Sequence, residues 1–77
     1  MLPRHHRWNE FVRRLLGPEG CDLQGSSWTC FGDVRFTKRI LQNMGFDQPS
    51  IEVSTTYFKH HGGFCDCEVL LNVAHAL

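Results

Sequence analysis

The sequence has no long hydrophobic run and no excess of charge of either sign. No stretch approaches the roughly 18 consecutive apolar residues that are needed to span a bilayer. The first residues, MLPRHHRWNEF, lack the apolar core of a secretory signal peptide. Eight basic and eight acidic side chains balance, so the chain as a whole exerts no general attraction on nucleic acid or anionic lipid. We therefore expect a cytoplasmic protein without a membrane partner.

The chain is also short. A domain near its length of 77 residues buries only about 60% of the surface that its unfolded chain exposes. Natural domains of this size often supplement a thin core with a disulfide, a metal ion or a partner subunit. We predict a single domain over residues 1–77, with residues 1–6 frayed. The sequence shows no catalytic set and no nucleotide-binding loop, which favours a non-enzymatic domain.

Three segments carry helix signals. Five apolar side chains at helical spacing predict the first helix; they are Trp8, Phe11, Val12, Leu15 and Leu16. Asp33 as N-cap and Gly45 as terminator bound the second helix. Asp47 precedes the third, with Pro49 acceptable in the first turn, and Gly62-Gly63 ends it.

Two further segments predict β-structure. In CDLQGSSWTC, Gly25-Ser26 suits a two-residue hairpin turn, and pairing outward from that turn places Cys21 opposite Cys30. In FCDCEVLLNV, the odd positions of residues 65–73 form one apolar face that includes both cysteines. The predicted order is α-β-β-α-α-β. This describes a small α+β domain with a short antiparallel sheet, made of the hairpin and the C-terminal strand and packed by helices.

The four cysteines are the main candidates for chemistry. Thiols stay reduced in the cytoplasm, and pairing the hairpin with the last strand brings together Cys21, Cys30, Cys65 and Cys67. Zinc binds four thiolates tetrahedrally at about 2.3 Å. A small domain gains stability from such an ion because site formation and folding become one event. The sequence therefore predicts one structural zinc ion, with His60 or His61 as a substitute for one thiol ligand.

Two other interpretations of the cysteines remain open. Free cysteine is among the most buried residue types, so all four can serve as small core side chains without any ion. Alternatively, a Cys21–Cys30 disulfide fits cross-strand geometry and would indicate a thiol-redox protein. We expect Asp66 and Glu68 to be solvated charges on the opposite strand face. There they would raise the pKa of adjacent thiols, which argues against a reactive thiolate.

Five segments of the sequence carry a resemblance to a known family; they are GPEGCDL, WTC, FTKRILQNMGFD, YFKHHGG and GGFCDCEVLLNV. They resemble a small bacterial family of uncharacterised domains, a domain of unknown function, over roughly residues 17–73. The resemblance implies no activity. It does imply that some members have a shorter Cys-x-His segment where this chain has residues 21–30. Four soft ligands are then retained, which favours a metal.

Small size and the lack of catalytic residues favour a binding or regulatory module that presents a surface to a protein partner. The alternative is a nucleic-acid-binding module whose phosphate contacts come from basic helices. Its candidate side chains are Arg4, Arg7, Arg13, Arg14, Arg35, Lys38 and Arg39. The zero net charge makes a protein the favoured partner.

Overall fold

The computed structural model describes residues 1–23 and 28–76, and their regular elements are helical. The elements are α1 (Trp8–Leu16), α2 (Arg35–Asn43), α3 (Gln48–His60), α4 (Asp66–Glu68) and a π-helical segment (Val69–Val73) that continues α4. No strand forms within those two ranges. The described chain is therefore all-α, and the predicted α+β class with a short antiparallel sheet is wrong. None of these helices is long and apolar enough to cross a membrane.

The first three helices form where local signals predict them. In α1, Phe11 and Leu15 are fully buried. The side chain of Asp47 caps α3 by accepting a hydrogen bond from the backbone N–H of Ser50, at 3.0 Å. The start of α2 differs slightly from the prediction because Val34, not Asp33, is its N-cap residue, and no side chain of that residue caps the helix. Local capping and helical spacing thus account for these elements.

The core lies where α1, α2, α3 and the π-helical segment meet. Its fully buried apolar side chains include Phe11, Leu15, Ile40, Leu41, Phe58, Val69 and Leu70. The rings of Phe11 and Phe58 stack with centroids 5.9 Å apart. Burial of each such side chain is worth about 1.5–3 kcal/mol relative to exposure. The last segment therefore contributes to the centre of the domain and not to an edge.

The C-terminal segment is helical instead of the predicted strand. Its buried residues follow a helical spacing; they are Cys65, Asp66, Val69, Leu70 and Val73. Leu71, which the strand pattern places inside, is 49% exposed. A short apolar run fits both the two-residue and the helical period. The adjacent pair Val69-Leu70, both fully buried, can turn inward together only on a helix because a strand would send them to opposite faces.

Two glycines connect the end of α3 to this segment. Gly62 has a φ of 87°, a left-handed conformation that glycine adopts at little cost. Its carbonyl accepts a hydrogen bond from Nδ2 of Asn72 at 2.8 Å. At Gly63 a Cβ atom would lie 3.0 Å from the carbonyl oxygen of Phe58 and 3.0 Å from side-chain atoms of Val69. The missing side chain allows the two helices to approach closely.

The predicted hairpin turn, Gly25-Ser26, lies outside the described residues. Its flanks, residues 21–23 and 28–30, form no strand. They do meet, because the backbone N–H of Thr29 donates to the carbonyl oxygen of Cys21 at 2.8 Å. A backbone hydrogen bond thus joins the two flanks, without a strand ladder.

Candidate metal centre

Three of the four predicted ligands converge. The Sγ atoms of Cys30, Cys65 and Cys67 all lie within 4.8 Å of one another. Those of Cys65 and Cys67 are 3.2 Å apart. This separation exceeds the roughly 2.05 Å of a disulfide and falls short of the roughly 3.8 Å between two thiolates on one tetrahedral zinc. One ion would require these separations to approach about 3.8 Å. We call the three side chains the thiol cluster.

The start of α4 brings the two nearest sulfurs together. Cys65 has extended backbone angles, φ −140° and ψ 170°, and serves as the N-cap residue, whereas Cys67 lies within the first helical turn. In a regular strand the Cα atoms of two such residues would be about 6.7 Å apart. The change from extended to helical backbone at Cys65 turns both side chains toward the same point. The alternating apolar pattern wrongly predicts a strand here. The helical turn that forms instead brings the sulfurs of Cys65 and Cys67 close together, as one metal ion requires.

Asp66, between these two cysteines, fixes the cluster to α2. Its carboxylate is completely buried. It accepts hydrogen bonds from the backbone N–H of Phe36 at 3.1 Å, the N–H of Thr37 at 2.8 Å and the Thr37 hydroxyl at 2.7 Å. The backbone N–H of Asp66 in turn donates to the carbonyl oxygen of Asp33 at 2.9 Å. The predicted solvated position of Asp66 is therefore wrong, because this carboxylate caps a helix distant in sequence.

The environment of Asp66 opposes its ionisation in part. Burial raises the pKa of this carboxyl above its ordinary value, while the hydrogen bonds from Thr37 and Phe36 act in the opposite direction. An N-terminal helix end favours the charged form. Sequence reasoning had no signal for this role because the capped residues lie far from Asp66 in the chain. Its neighbour Glu68 is half-buried.

Cys30 is the thiol whose surroundings favour the thiolate. Burial alone would raise its pKa, yet hydrogen bonds from the backbone N–H groups of Cys67 and Gly32, and from the thiols of Cys67 and Cys65, bring it below the ordinary value. By contrast, burial raises the pKa of Cys65 to about 12 and also raises that of Cys67. The cluster therefore stabilises one negative charge on sulfur, which is the form of cysteine that binds a metal.

The fourth predicted ligand, Cys21, is not part of this group. It is completely buried, and its sulfur is not among those that lie within 4.8 Å of one another. Burial raises its pKa to about 12, and the charges of Asp66, Cys30 and Cys65 add to that rise. Cys21 is thus close enough to the cluster for charges there to affect its pKa. Its participation as a ligand stays a prediction.

The two predicted substitute ligands lie elsewhere. His60 is the last residue of α3 and His61 is its C-cap, and both are exposed. The ring of His61 packs on Tyr57 with centroids 4.2 Å apart. Among the described side chains, the group that could hold an ion contains cysteines only. A thiolate set of this kind favours soft or borderline cations such as zinc over magnesium or calcium.

The sequence matches the family described as protein of unknown function (DUF2695) over residues 9–72. The chain belongs to this family. The DUF2695 match spans the segment from α1 to the π-helical segment and includes all four cysteines. The predicted resemblance to a domain of unknown function is confirmed at that level. No curated protein and no solved structure matches the chain.

Proposed function

We propose that this DUF2695 domain is a small non-enzymatic binding module that is stapled by one structural zinc ion and presents a surface to a protein partner. The observation that carries the proposal is the convergence of the sulfurs of Cys30, Cys65 and Cys67 within 4.8 Å. Cys21 supplies the fourth thiolate. Such a set matches the four-cysteine sites in which zinc has a structural role.

The surroundings of the cluster support an ion that stabilises the fold. Thiols bind zinc only after losing their protons, and backbone N–H groups of Cys67 and Gly32 already favour the charged form of Cys30. In the folded domain, hydrogen bonds of Asp66 join the segment of Cys65 and Cys67 to α2 and to Asp33, which is close to Cys30 in the chain. The ligand-bearing segments are therefore adjacent in the fold that the ion would stabilise.

The fourth ligand requires Cys21 and the cluster to move closer together, because the Cys21 sulfur is not among those that lie within 4.8 Å of one another. Cys21 follows α1 closely, and its backbone N–H donates to the carbonyl oxygen of Leu15 at 2.8 Å. The four thiolates would fill the tetrahedral coordination of zinc, so no open position is left for a substrate or an activated water. This full coordination is the reason to propose a staple and not a catalytic centre.

The direct experiment measures zinc per chain, by inductively coupled plasma mass spectrometry, in protein purified without added metal. We expect one zinc ion per chain, with loss of helical circular dichroism when a strong chelator removes it. Folded, metal-free protein that is indifferent to chelator would overturn the proposal in favour of four core thiols.

Serine variants assign the ligands. C30S, C65S and C67S should each lose zinc, whereas S54A, which alters a buried side chain on α3 outside the cluster, should keep it. Cobalt substitution tests Cys21 separately, since the sulfur-to-cobalt charge-transfer band grows with the number of thiolate ligands. A band of equal intensity in the wild type and in C21S would exclude Cys21 as the fourth ligand.

A further inference from the structure

Three large, exposed aromatic side chains lie on the two chain segments that carry the thiol cluster. Trp28, Phe31 and Phe64 are 50%, 56% and 60% exposed. Trp28 and Phe31 lie within two residues of Cys30, and Phe64 directly precedes Cys65. The cluster and the hydrogen bond from the backbone N–H of Asp66 to the carbonyl oxygen of Asp33 at 2.9 Å join these two segments. We therefore assign the three rings to one surface, called the aromatic rim. Exposed apolar side chains scattered singly need no explanation, but a group of aromatics is typical of a protein-binding surface.

Positive charge borders the aromatic rim on α2. Arg35, Lys38 and Arg39 are exposed and share one helix face because they lie at i, i+3 and i+4. The Cζ atom of Arg35 lies 4.2 Å from the ring centroid of Phe31, so the basic face begins at the rim itself. Arg35 is already paired with Asp33 at 2.9 Å. Lys38 and Arg39 form no salt bridge within the described part of the chain.

We infer that the aromatic rim, with Lys38 and Arg39 at its edge, binds a protein segment that carries a large apolar anchor next to acidic side chains. The inference rests on the proposed function, because the zinc staple is what holds the two ring-bearing segments together. Aromatic rings provide the contact area of such a site. The two cations select acidic neighbours and speed the encounter.

The same surface is too weakly charged to suit nucleic acid. Each phosphate that a single strand contributes lowers the logarithm of affinity by about 0.7 per logarithm of salt concentration. Two cations without a carboxylate partner therefore give a slope of only about −1.4, which corresponds to little electrostatic binding. The rings make a peptide the better fit.

The test is selection of random dodecapeptides displayed on phage, with the full zinc-loaded chain as the target. We expect enriched peptides to combine an aromatic or long aliphatic residue with Asp or Glu. Their affinity should fall about tenfold or more in the F31A/F64A variant, should fall in K38E/R39E, and should be unchanged in V53A. Val53 is a matched control because it is an exposed hydrophobic residue, 63% exposed, on α3.

Other outcomes would contradict the inference or the zinc staple. Absence of enrichment, enrichment without acidic residues, or affinity unaffected by F31A/F64A overturns the inference. Tighter binding of oligo(dT) than of any selected peptide also overturns it, in favour of a nucleic-acid partner. Zinc content is measured on every variant, so loss of binding at full zinc occupancy assigns the effect to the rim. Peptide binding by zinc-free protein would instead reject the staple and leave the binding surface standing.

Discussion

The carboxylate of Asp66 and the first turn of α2 are joined through Thr37, which donates both its backbone N–H and its hydroxyl to one carboxylate oxygen, at 2.8 and 2.7 Å. This contact links a residue between two thiols of the cluster to a helix end that lacks a cap from its own N-cap residue. The thiol cluster and the packing of α2 are therefore parts of one arrangement.

Replacing Asp66 by alanine should destabilise the domain by about 2–4 kcal/mol, because it removes a cap and leaves buried N–H groups without acceptors. Asparagine keeps one acceptor oxygen, so D66N should cost less. Urea unfolding of zinc-loaded protein measures both effects. The control is D33N, which changes an exposed carboxylate in a surface ion pair and should have little effect. Equal effects of D66A and D33N would contradict the capping role.

Leu70 and Leu71 distinguish the observed helix from the predicted strand. Leu70 is fully buried and Leu71 is 49% exposed, whereas an alternating strand reverses those positions. L70A should cost about 2–5 kcal/mol and L71A less than about 1 kcal/mol, because only the first leaves a core cavity. Thermal or urea unfolding of the two variants provides the comparison. A larger loss for L71A would restore the strand.

Gly63 should not tolerate a methyl group. A Cβ there would lie 3.0 Å from three atoms, on Phe58, Val69 and Val73, so G63A should cost about 1–3 kcal/mol through overpacking. Gly17 provides the control, because its φ is −90° and its nearest such contact is 3.3 Å. The unfolding midpoint should be highest for the wild type, lower for G17A and lowest for G63A. If G63A matches G17A, the two helices are less tightly apposed than the contacts indicate.

The pH dependence of stability should include a contribution from Glu10. Hydrogen bonds from Arg7 lower the pKa of this carboxyl below its ordinary value of 4.5. A lowered pKa stabilises the folded state above 4.5, and that stabilisation disappears as the pH falls through the folded value. E10Q should therefore melt below the wild type near neutral pH and converge with it in acid. Melting temperatures between about pH 6 and pH 3 test this.

The control for that series is E52Q, since Glu52 is exposed on α3 and forms no salt bridge with any residue that the structure describes. E52Q measures what the loss of one surface carboxyl does by itself. A difference between E10Q and the wild type that stays constant with pH would show that the pair with Arg7 does not persist in solution.

Thiol alkylation separates the zinc staple from the core-thiol interpretation. Cys30 and Cys67 are half-buried, whereas Cys21 and Cys65 are buried. Without an ion, iodoacetamide should reach Cys30 and Cys67 first. With zinc bound, all four should resist until a chelator is added and then react together, because loss of the ion unfolds the chain. Mass spectrometry of digested protein gives the order. Early labelling of Cys30 and Cys67 without chelator would argue against bound zinc.

Local signals were sufficient for the first three helices. The spacing of Phe11 and Leu15 and the cap formed by Asp47 depend only on neighbours in the chain. The C-terminal element could not be assigned in this way, since its short apolar run satisfies both periods. In the helical form of this element, the buried carboxylate of Asp66 accepts hydrogen bonds from Thr37 of α2. Local signals do not show these bonds because they join residues far apart in sequence.

The residues of the site could be predicted from their chemistry, but the backbone structure that brings them together could not. Cysteine chemistry identified Cys30, Cys65 and Cys67, which the structure brings together, but the sheet expected to gather them does not exist in the described chain. A change of backbone conformation at Cys65 instead brings Cys65 and Cys67 together. Similarly, the stacking of Arg35 on Phe31 follows from a turn before α2 that spacing alone does not show.

Cys30 and Cys65 stand at opposite ends of a stretch of chain that contains all of α2 and α3. An ion bound by both closes that stretch into a ring. By analogy with a cross-link, closing a ring of this length removes roughly 4 kcal/mol of chain entropy from the unfolded ensemble. The ion would thereby stabilise two helices that contribute no ligand, because it would leave the unfolded chain fewer conformations.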